Sequence, residues 1–165
     1  MMDRMQRAAL LVLGLGAPAM ACAPSPNVSL VHCSFAGANL ENADFRNAVL
    51  DGVNFAGANL KWANLRGASL KQANFQGADL FHTKLDRADL AGANLRDTYM
   101  FGANMIDGSA VGADFRGANL KDILLEGANL SHANLEGVLL FRAVISGGKL
   151  VGARLSGARL TGADV

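Results

Sequence analysis

From residue 30 to residue 165, every position whose number is a multiple of five is apolar, and the register never slips. The series opens Leu30, Phe35, Leu40, Phe45, Leu50, Phe55 and runs through 28 positions, with Ala110 as its one small member. Two residues before each of these central positions stands a near-continuous alanine column, as at Ala38, Ala43, Ala48, Ala58, Ala63 and Ala68. Asn, Asp or Ser commonly precedes the central residue, as at Asn39, Asp44, Asn54 and Asn59, and Gly commonly lies two after it, as at Gly37, Gly52, Gly57 and Gly67. A period of five matches neither the 3.6 of a helix nor the two of a strand. Two inward side chains spaced two apart, followed by turn formers, fit a very short extended piece and a corner, because Asn and Asp bond nearby backbone and Gly tolerates positive φ. A unit this small buries nothing by itself, so the units must stack as coils.

Units such as Ala38-Asn39-Leu40-Glu41-Asn42 and Ala58-Asn59-Leu60-Lys61-Trp62 resemble the motif of the pentapeptide-repeat family over the whole span from residue 30 to 165. The resemblance implies an all-β fold, a right-handed quadrilateral β-helix or β-solenoid, with four pentapeptides per coil. That makes about seven coils and, at roughly 4.8 Å per coil, a rod about 34 Å long. Handedness and coil size come from the resemblance, since periodicity alone does not supply them. Inside such a coil the alanine column leaves room for the central Leu and Phe, and a larger residue there would collide across a narrow interior. Ile123 and Val138 therefore predict local widening. Ala110, with Gly108 two before it, predicts a gap that the flexible Met100 and Met105 partly fill.

The chain opens with an address. Arg4 and Arg7 precede an apolar run over 8–15, and small residues follow at Ala17, Ala19 and Ala21. This is the pattern of a secretory signal peptide over 1–21, and the run is short of the about 20 residues a membrane-spanning helix needs. Ala19-Met20-Ala21-Cys22 also resembles a lipobox, with Ala19 where lipoproteins usually carry Leu. Used so, Cys22 becomes a lipidated N-terminus that tethers the chain to a membrane, and the Pro-containing lead-in 22–27 a stiff spacer. Plain cleavage and lipidation both fit. A Cys22–Cys33 disulfide ranks below them, because Cys33 falls on an inward slot, although oxidising compartments permit it. The organisation is thus 1–21 signal peptide, 22–27 lead-in and 28–165 repeat, in a protein exported to the periplasm, the cell envelope or the extracellular space.

With twenty residues per coil, like slots stack on one side. Phe35, Phe45, Phe55, Phe75 and Phe115 take inward slots. The other five aromatics, Trp62, Phe81, Tyr99, Phe101 and Phe141, all fall in outward slots of the side centred on Leu40, Leu60, Leu80, Met100, Leu120, Leu140 and Leu160. Leu139 joins them, and Ile106, Leu124 and Val144 extend the patch around the next corner. Apolar outward residues gathered on one side mark an interface, although a cross-strand ladder that merely supports pairing is the plainer account.

Chemistry is harder to find. His32 and His132 share a side but lie five coils apart, and His82 falls on another, so all three read as solvated surface residues. Asp44, Asp79, Asp89 and Asp114, like Ser29, Ser34, Ser69 and Ser109, occupy the turn slot before a central residue, which explains them without acid–base or nucleophilic work. The Gly-rich stretches follow the period of five and match no phosphate-binding fingerprint. No catalytic, cofactor or metal residues are assigned. The chain has 15 basic and 14 acidic residues; residues 1–21 hold Arg4, Arg7 and Asp3, leaving 13 of each. A balanced charge has no global field to steer towards nucleic acid or to imitate it. Charge is uneven locally, since from residue 137 Arg142, Lys149, Arg154 and Arg159 face only Asp164, and that end suits an acidic surface or anionic lipid.

These readings converge on a non-enzymatic, exported structural or protein-interaction module acting through its aromatic side, with a protein partner or self-association and no nucleic acid. One alternative comes from the resemblance: some pentapeptide-repeat proteins imitate DNA and bind gyrase, but balanced charge and an export signal depart from that pattern. The other is glycan binding, with the aromatics stacking on sugar rings. The last unit, Gly162-Ala163-Asp164-Val165, ends within the repeat, which together with the family's frequent C-terminal dimers predicts an end-to-end homodimer.

Overall fold

The computed structural model describes residues 22–165, and the expected signal peptide over 1–21 lies outside the described residues. The backbone pairs with itself one lap later at every unit. Ser29 bridges Val49, Ser34 bridges Asn54, Asn39 bridges Asn59, and so on to Val144 with Asp164, each pair parallel and twenty residues apart. One lap therefore consumes four pentapeptides, and the chain winds as a four-sided coil whose sides are single residue pairs long.

Each corner is a four-residue turn. The residue two after a central position has φ between 50° and 75° at every unit from Gly37 onward, whether Gly or not. The amide that closes the turn comes from the alanine column, as when Ala38 N–H donates to the Phe35 carbonyl at 3.0 Å. Positive φ at the third turn residue alone is the type II pattern, which explains why Gly and Asn crowd that slot.

The amides of one unit can be followed in full. Ala58 N–H closes the turn on Phe55 O, Asn59 N–H reaches back to Ala38 O on the lap before, the central Leu60 N–H donates to Asp79 O on the next lap, and Trp62 N–H donates to Phe81 O there. Only the amide just after the central residue has no backbone partner. The side chain of the preceding Asn or Asp supplies it: Glu41 N–H donates to Asn39 Oδ1, Ala56 N–H to Asn54 Oδ1 and Ala91 N–H to Asp89 Oδ1. The bond satisfies a corner amide locally, a net contribution of about 0.5–1.5 kcal/mol, which accounts for the preference for Asn and Asp in the turn slot.

The interior is filled as the periodicity requires. Phe35, Phe45, Phe55, Phe75 and Phe115 are buried. Phe35, Phe55 and Phe75 stack in a column with centroids 5.3 and 5.0 Å apart, and Phe45 meets Phe35 and Phe55 edge-on. Widening shows at some of the larger residues that enter the alanine column, whereas Val53 and Thr83 keep the 3.1 Å seen at Ala68 and Ala73. The turn-closing bond stretches to 3.4 Å at Ile123 and Val138, against 2.9 Å at Ala118 and 3.0 Å at Ala133. Thr98 shows the same 3.4 Å, and there the Thr98 hydroxyl donates to the same Leu95 carbonyl at 2.8 Å. The buried Thr83 hydroxyl instead donates to Leu60 O on the previous lap. At the small residues, Met105 packs so closely on Gly108 that an added Cβ would lie 2.7 Å from Met105 Cγ, which is the gap-filling expected of it.

One expectation is corrected. Cys22 and Cys33 are bonded as a disulfide, with Cα atoms 5.6 Å apart. The inward slot that seemed to remove Cys33 from reach is what positions it, because the lead-in folds back and Cys22 packs against the core. A sulfur in a disulfide carries no lipid thioether, so lipidation of Cys22 does not coexist with the bond the structure forms.

Candidate interaction face

The side centred on Leu40, Leu60, Leu80, Met100, Leu120 and Leu140 gathers four of its expected aromatics into one cluster. Phe81 and Phe101, one lap apart, stack with centroids 5.8 Å apart at 15°. Tyr99 lies nearly parallel to both, 6.1 Å from Phe81 and 6.3 Å from Phe101. Trp62 meets Phe81 edge-on at 5.4 Å. Trp62 and Tyr99 are the exposed members, at 46% and 40% of full accessibility, whereas Phe81 and Phe101 are half-buried.

A fifth member was missed in the sequence. His82 stacks on Trp62 with centroids 4.4 Å apart and planes 4° apart, and meets Phe81 edge-on at 4.3 Å. Far from being a solvated side chain, its ring is held between the indole and the next lap, where a Cβ on Gly102 would lie 2.6 Å from His82 Cε1. The signal was in the sequence, since 82 is 62 plus twenty and the two residues therefore share a column. Trp62 and His82 also sit in the left-handed corner slot, with φ of 60° and 50°. A bulky side chain there costs about 1 kcal/mol or more relative to Gly, so this column is stacked at the expense of backbone ease.

Phe141 and Leu139 stay apart from the cluster. Leu139 is half-buried in the slot that bridges Asn119 and Arg159. Phe141 touches cations instead of rings: Lys121 Nζ from the preceding lap lies 5.3 Å from its centroid and the Arg159 guanidinium from the following lap 4.9 Å. Beside it Arg142 holds Asp122 through two hydrogen bonds of 2.6 Å. That fork, with the nearby Lys121 charge, keeps the Asp122 carboxyl below the usual carboxylate range. Phe101, Lys121, Asp122, Phe141 and Arg142 line a groove of about 590 Å³. Ile106, Leu124 and Val144 around the corner are half-buried.

Elsewhere six of the twelve remaining described acids are matched by bases on the same or the adjoining lap. Asp44 pairs with Arg46, Asp79 with Lys61, Asp86 with Arg66, Asp89 with Lys71, Asp114 with Arg116 and Glu136 with Arg154. Among the described residues no three His, Cys, Asp or Glu side chains are placed to hold a metal ion, and no helix is long and apolar enough to cross a membrane. His132 stands exposed over Gly152, on a different side from His82.

Comparison with known proteins gives a consistent picture. The sequence model of the family described as Pentapeptide repeats (8 copies) matches residues 29–67, 58–97, 73–108, 111–147 and 139–165. No curated protein matches the chain significantly. Full-length QnrB1, a plasmid-mediated fluoroquinolone resistance protein, is 26% identical, with a TM-score of 0.62 over 86% of this chain and 74% of that one. HetL, a pentapeptide repeat protein involved in heterocyst differentiation regulation from the cyanobacterium Nostoc sp. strain PCC 7120, is 26% identical over 87% of each chain, with a TM-score of 0.42. A pentapeptide repeat protein from the thylakoid lumen of Arabidopsis thaliana is 31% identical over 72% of this chain and 66% of that one, with a TM-score of 0.31. The shape shared with QnrB1 identifies the four-sided coil as a right-handed quadrilateral β-helix.

Proposed function

The chain belongs to the pentapeptide-repeat family, and from that premise we propose that it is an exported, non-enzymatic protein-interaction module, a rod of about seven laps that offers its aromatic side to a protein partner or to a second copy of itself. The observation that carries this reading is the cluster of Trp62, Phe81, His82, Tyr99 and Phe101 on one side. A ladder that served strand pairing alone would not need a Trp and a His in left-handed corner slots that Gly fills more easily. Export rests on the sequence of residues 1–21, and the disulfide suits an oxidising compartment.

The alternatives fare worse on physical grounds. Imitation of DNA requires a continuous unneutralised run of acids, whereas the paired Asp and Glu residues here sit against Arg and Lys. Likeness to QnrB1 therefore extends to shape and is not carried to its resistance activity. Stacking on sugars needs free ring faces, yet Phe81, Phe101 and Tyr99 turn their faces to one another. The test is Phe81→Ser combined with Phe101→Ser. The β-sheet circular dichroism is expected to persist while cross-linked partner capture in the envelope, or self-association in sedimentation, is lost. A variant that behaves as wild type in both assays removes the proposal.

A further inference from the structure

We propose that the groove between Phe101 and Phe141 receives an extended acidic peptide segment carrying an aromatic side chain, its carboxylates meeting Lys121 in the groove and Arg159 beside Phe141, and its ring packing against Phe101. The inference rests on the reading of this side as a protein interface and names the chemistry of what it holds.

The first argument is charge. Lys121 and Arg159 flank the Phe141 ring from the laps before and after it, Arg142 lines the groove with Lys121, and Asp122 is the one carboxylate among the described lining residues. Asp122 is committed to the Arg142 fork. Among the described residues Lys121 and Arg159 pair with no acid, and both rest on the Phe141 ring. On a rod whose other bases mostly face an acid across a lap, two neighbouring cations held over an aromatic ring are the exception. A cation–π contact leaves the outer side of each cation free for an anion, so a carboxylate arriving from outside completes the site without displacing anything.

The second argument is shape. Phe101 and Phe141 are two laps apart, about 10 Å along the rod, with Lys121 on the lap between them and its ammonium 5.3 Å from the Phe141 centroid. The Phe101 side of that gap is left for one extended chain with a flat side chain. It does not suit a membrane surface, which is met by rings that protrude, whereas Phe101 and Phe141 are half-buried walls of a concavity. Nor does it suit a nucleic acid, whose affinity comes from neutralising many phosphates in a row, since the cations here form one small group.

The test uses fluorescence anisotropy of the full mature chain with a labelled peptide of alternating glutamate and phenylalanine. Binding is expected, to weaken as salt rises, and to fall at least about tenfold in Lys121→Glu combined with Arg159→Glu, the scale of two lost charge contacts plus repulsion. If that variant loses its β-sheet signal, Lys121→Gln with Arg159→Gln serves, with a smaller loss in the same direction. Absence of peptide binding overturns the proposal, as does equal binding of a peptide with lysine for glutamate or alanine for phenylalanine. Tighter binding of phosphatidylglycerol vesicles or of a single-stranded oligonucleotide also overturns it. Partner capture lost with Phe81→Ser and Phe101→Ser but kept on charge reversal would leave the interface standing and discard the acidic segment alone.

Discussion

Asn74 shows what a single side chain contributes to this fold. Its Oδ1 accepts the otherwise unpaired Gln76 N–H and the Asn94 amide, while its Nδ2 donates to Asn54 Oδ1 on the lap before. Asn134 makes only the local bond, to Glu136 N–H. Asn74→Ala is therefore expected to cost about 1–2 kcal/mol and Asn134→Ala roughly half that, read as the difference in urea midpoints at unchanged slope. Gly102 is the second informative residue. With φ at 63° and the His82 ring against it, Gly102→Ala is strained in its backbone and also pushes the imidazole off Trp62. Trp62 is the only tryptophan, so its fluorescence spectrum is expected to shift in this variant, whereas Gly112→Ala, with open space around it, should cost about 1 kcal/mol and leave the spectrum alone.

At the scale of the unit, two inward columns divide the work. The central column supplies apolar bulk and the alanine column lets opposite sides approach. Enlarging the second column loosens the corner at some positions: at Thr98, Ile123 and Val138 the closing bond is 3.4 Å while bridges above and below persist, and next to Val138 the ladder bond from Leu139 N–H to Ala118 O also reaches 3.4 Å. Ala73 is fully buried on the side that carries the Phe55 and Phe75 stack. Ala73→Leu is expected to destabilise by about 1–3 kcal/mol through overpacking, and Phe55→Ala, which removes the middle ring of the stacked column, by about 3–5 kcal/mol; thermal melts followed at the β-sheet band measure both. How far the corners give was not legible in the sequence, since the period names which residues point inward and says nothing of whether a turn or a ladder absorbs excess volume.

Across the whole rod, charge is organised into local pairs. Hydrogen bonds from Arg46, Arg116 and Arg142 hold Asp44, Asp114 and Asp122 below the ordinary carboxylate value of 3.8. A carboxyl whose folded value is depressed stabilises the fold above its unfolded value and loses that contribution as pH falls through the folded one. The melting temperature is thus expected to hold steady from neutral pH down to about 5 and to decline below about 4; Asp114→Asn should flatten that decline slightly, as the pair is largely solvent-screened. The disulfide acts at the same scale by tying the lead-in to the first lap. Cys22→Ser with Cys33→Ser, or reduction of the wild type, is expected to cost about 2–3 kcal/mol for a loop of this length, and mass spectrometry of the mature N-terminus distinguishes a disulfide at Cys22 from a lipid.

An unbroken recurrence at every fifth residue was enough to establish a stacked coil and its inward residues, because burial in so narrow an interior admits no slip of register; the four-unit lap that gathers the outward aromatics on one side came from the family resemblance. Tertiary structure alone decided what those outward residues touch. His82 joined Trp62, Phe141 left the rings for Lys121 and Arg159, and Cys33 found Cys22. The reason is geometric: a period dictates which column a side chain occupies, while its partner depends on how it leans along the rod, and that is settled by whether the next lap offers a ring, a charge or the open space above a glycine.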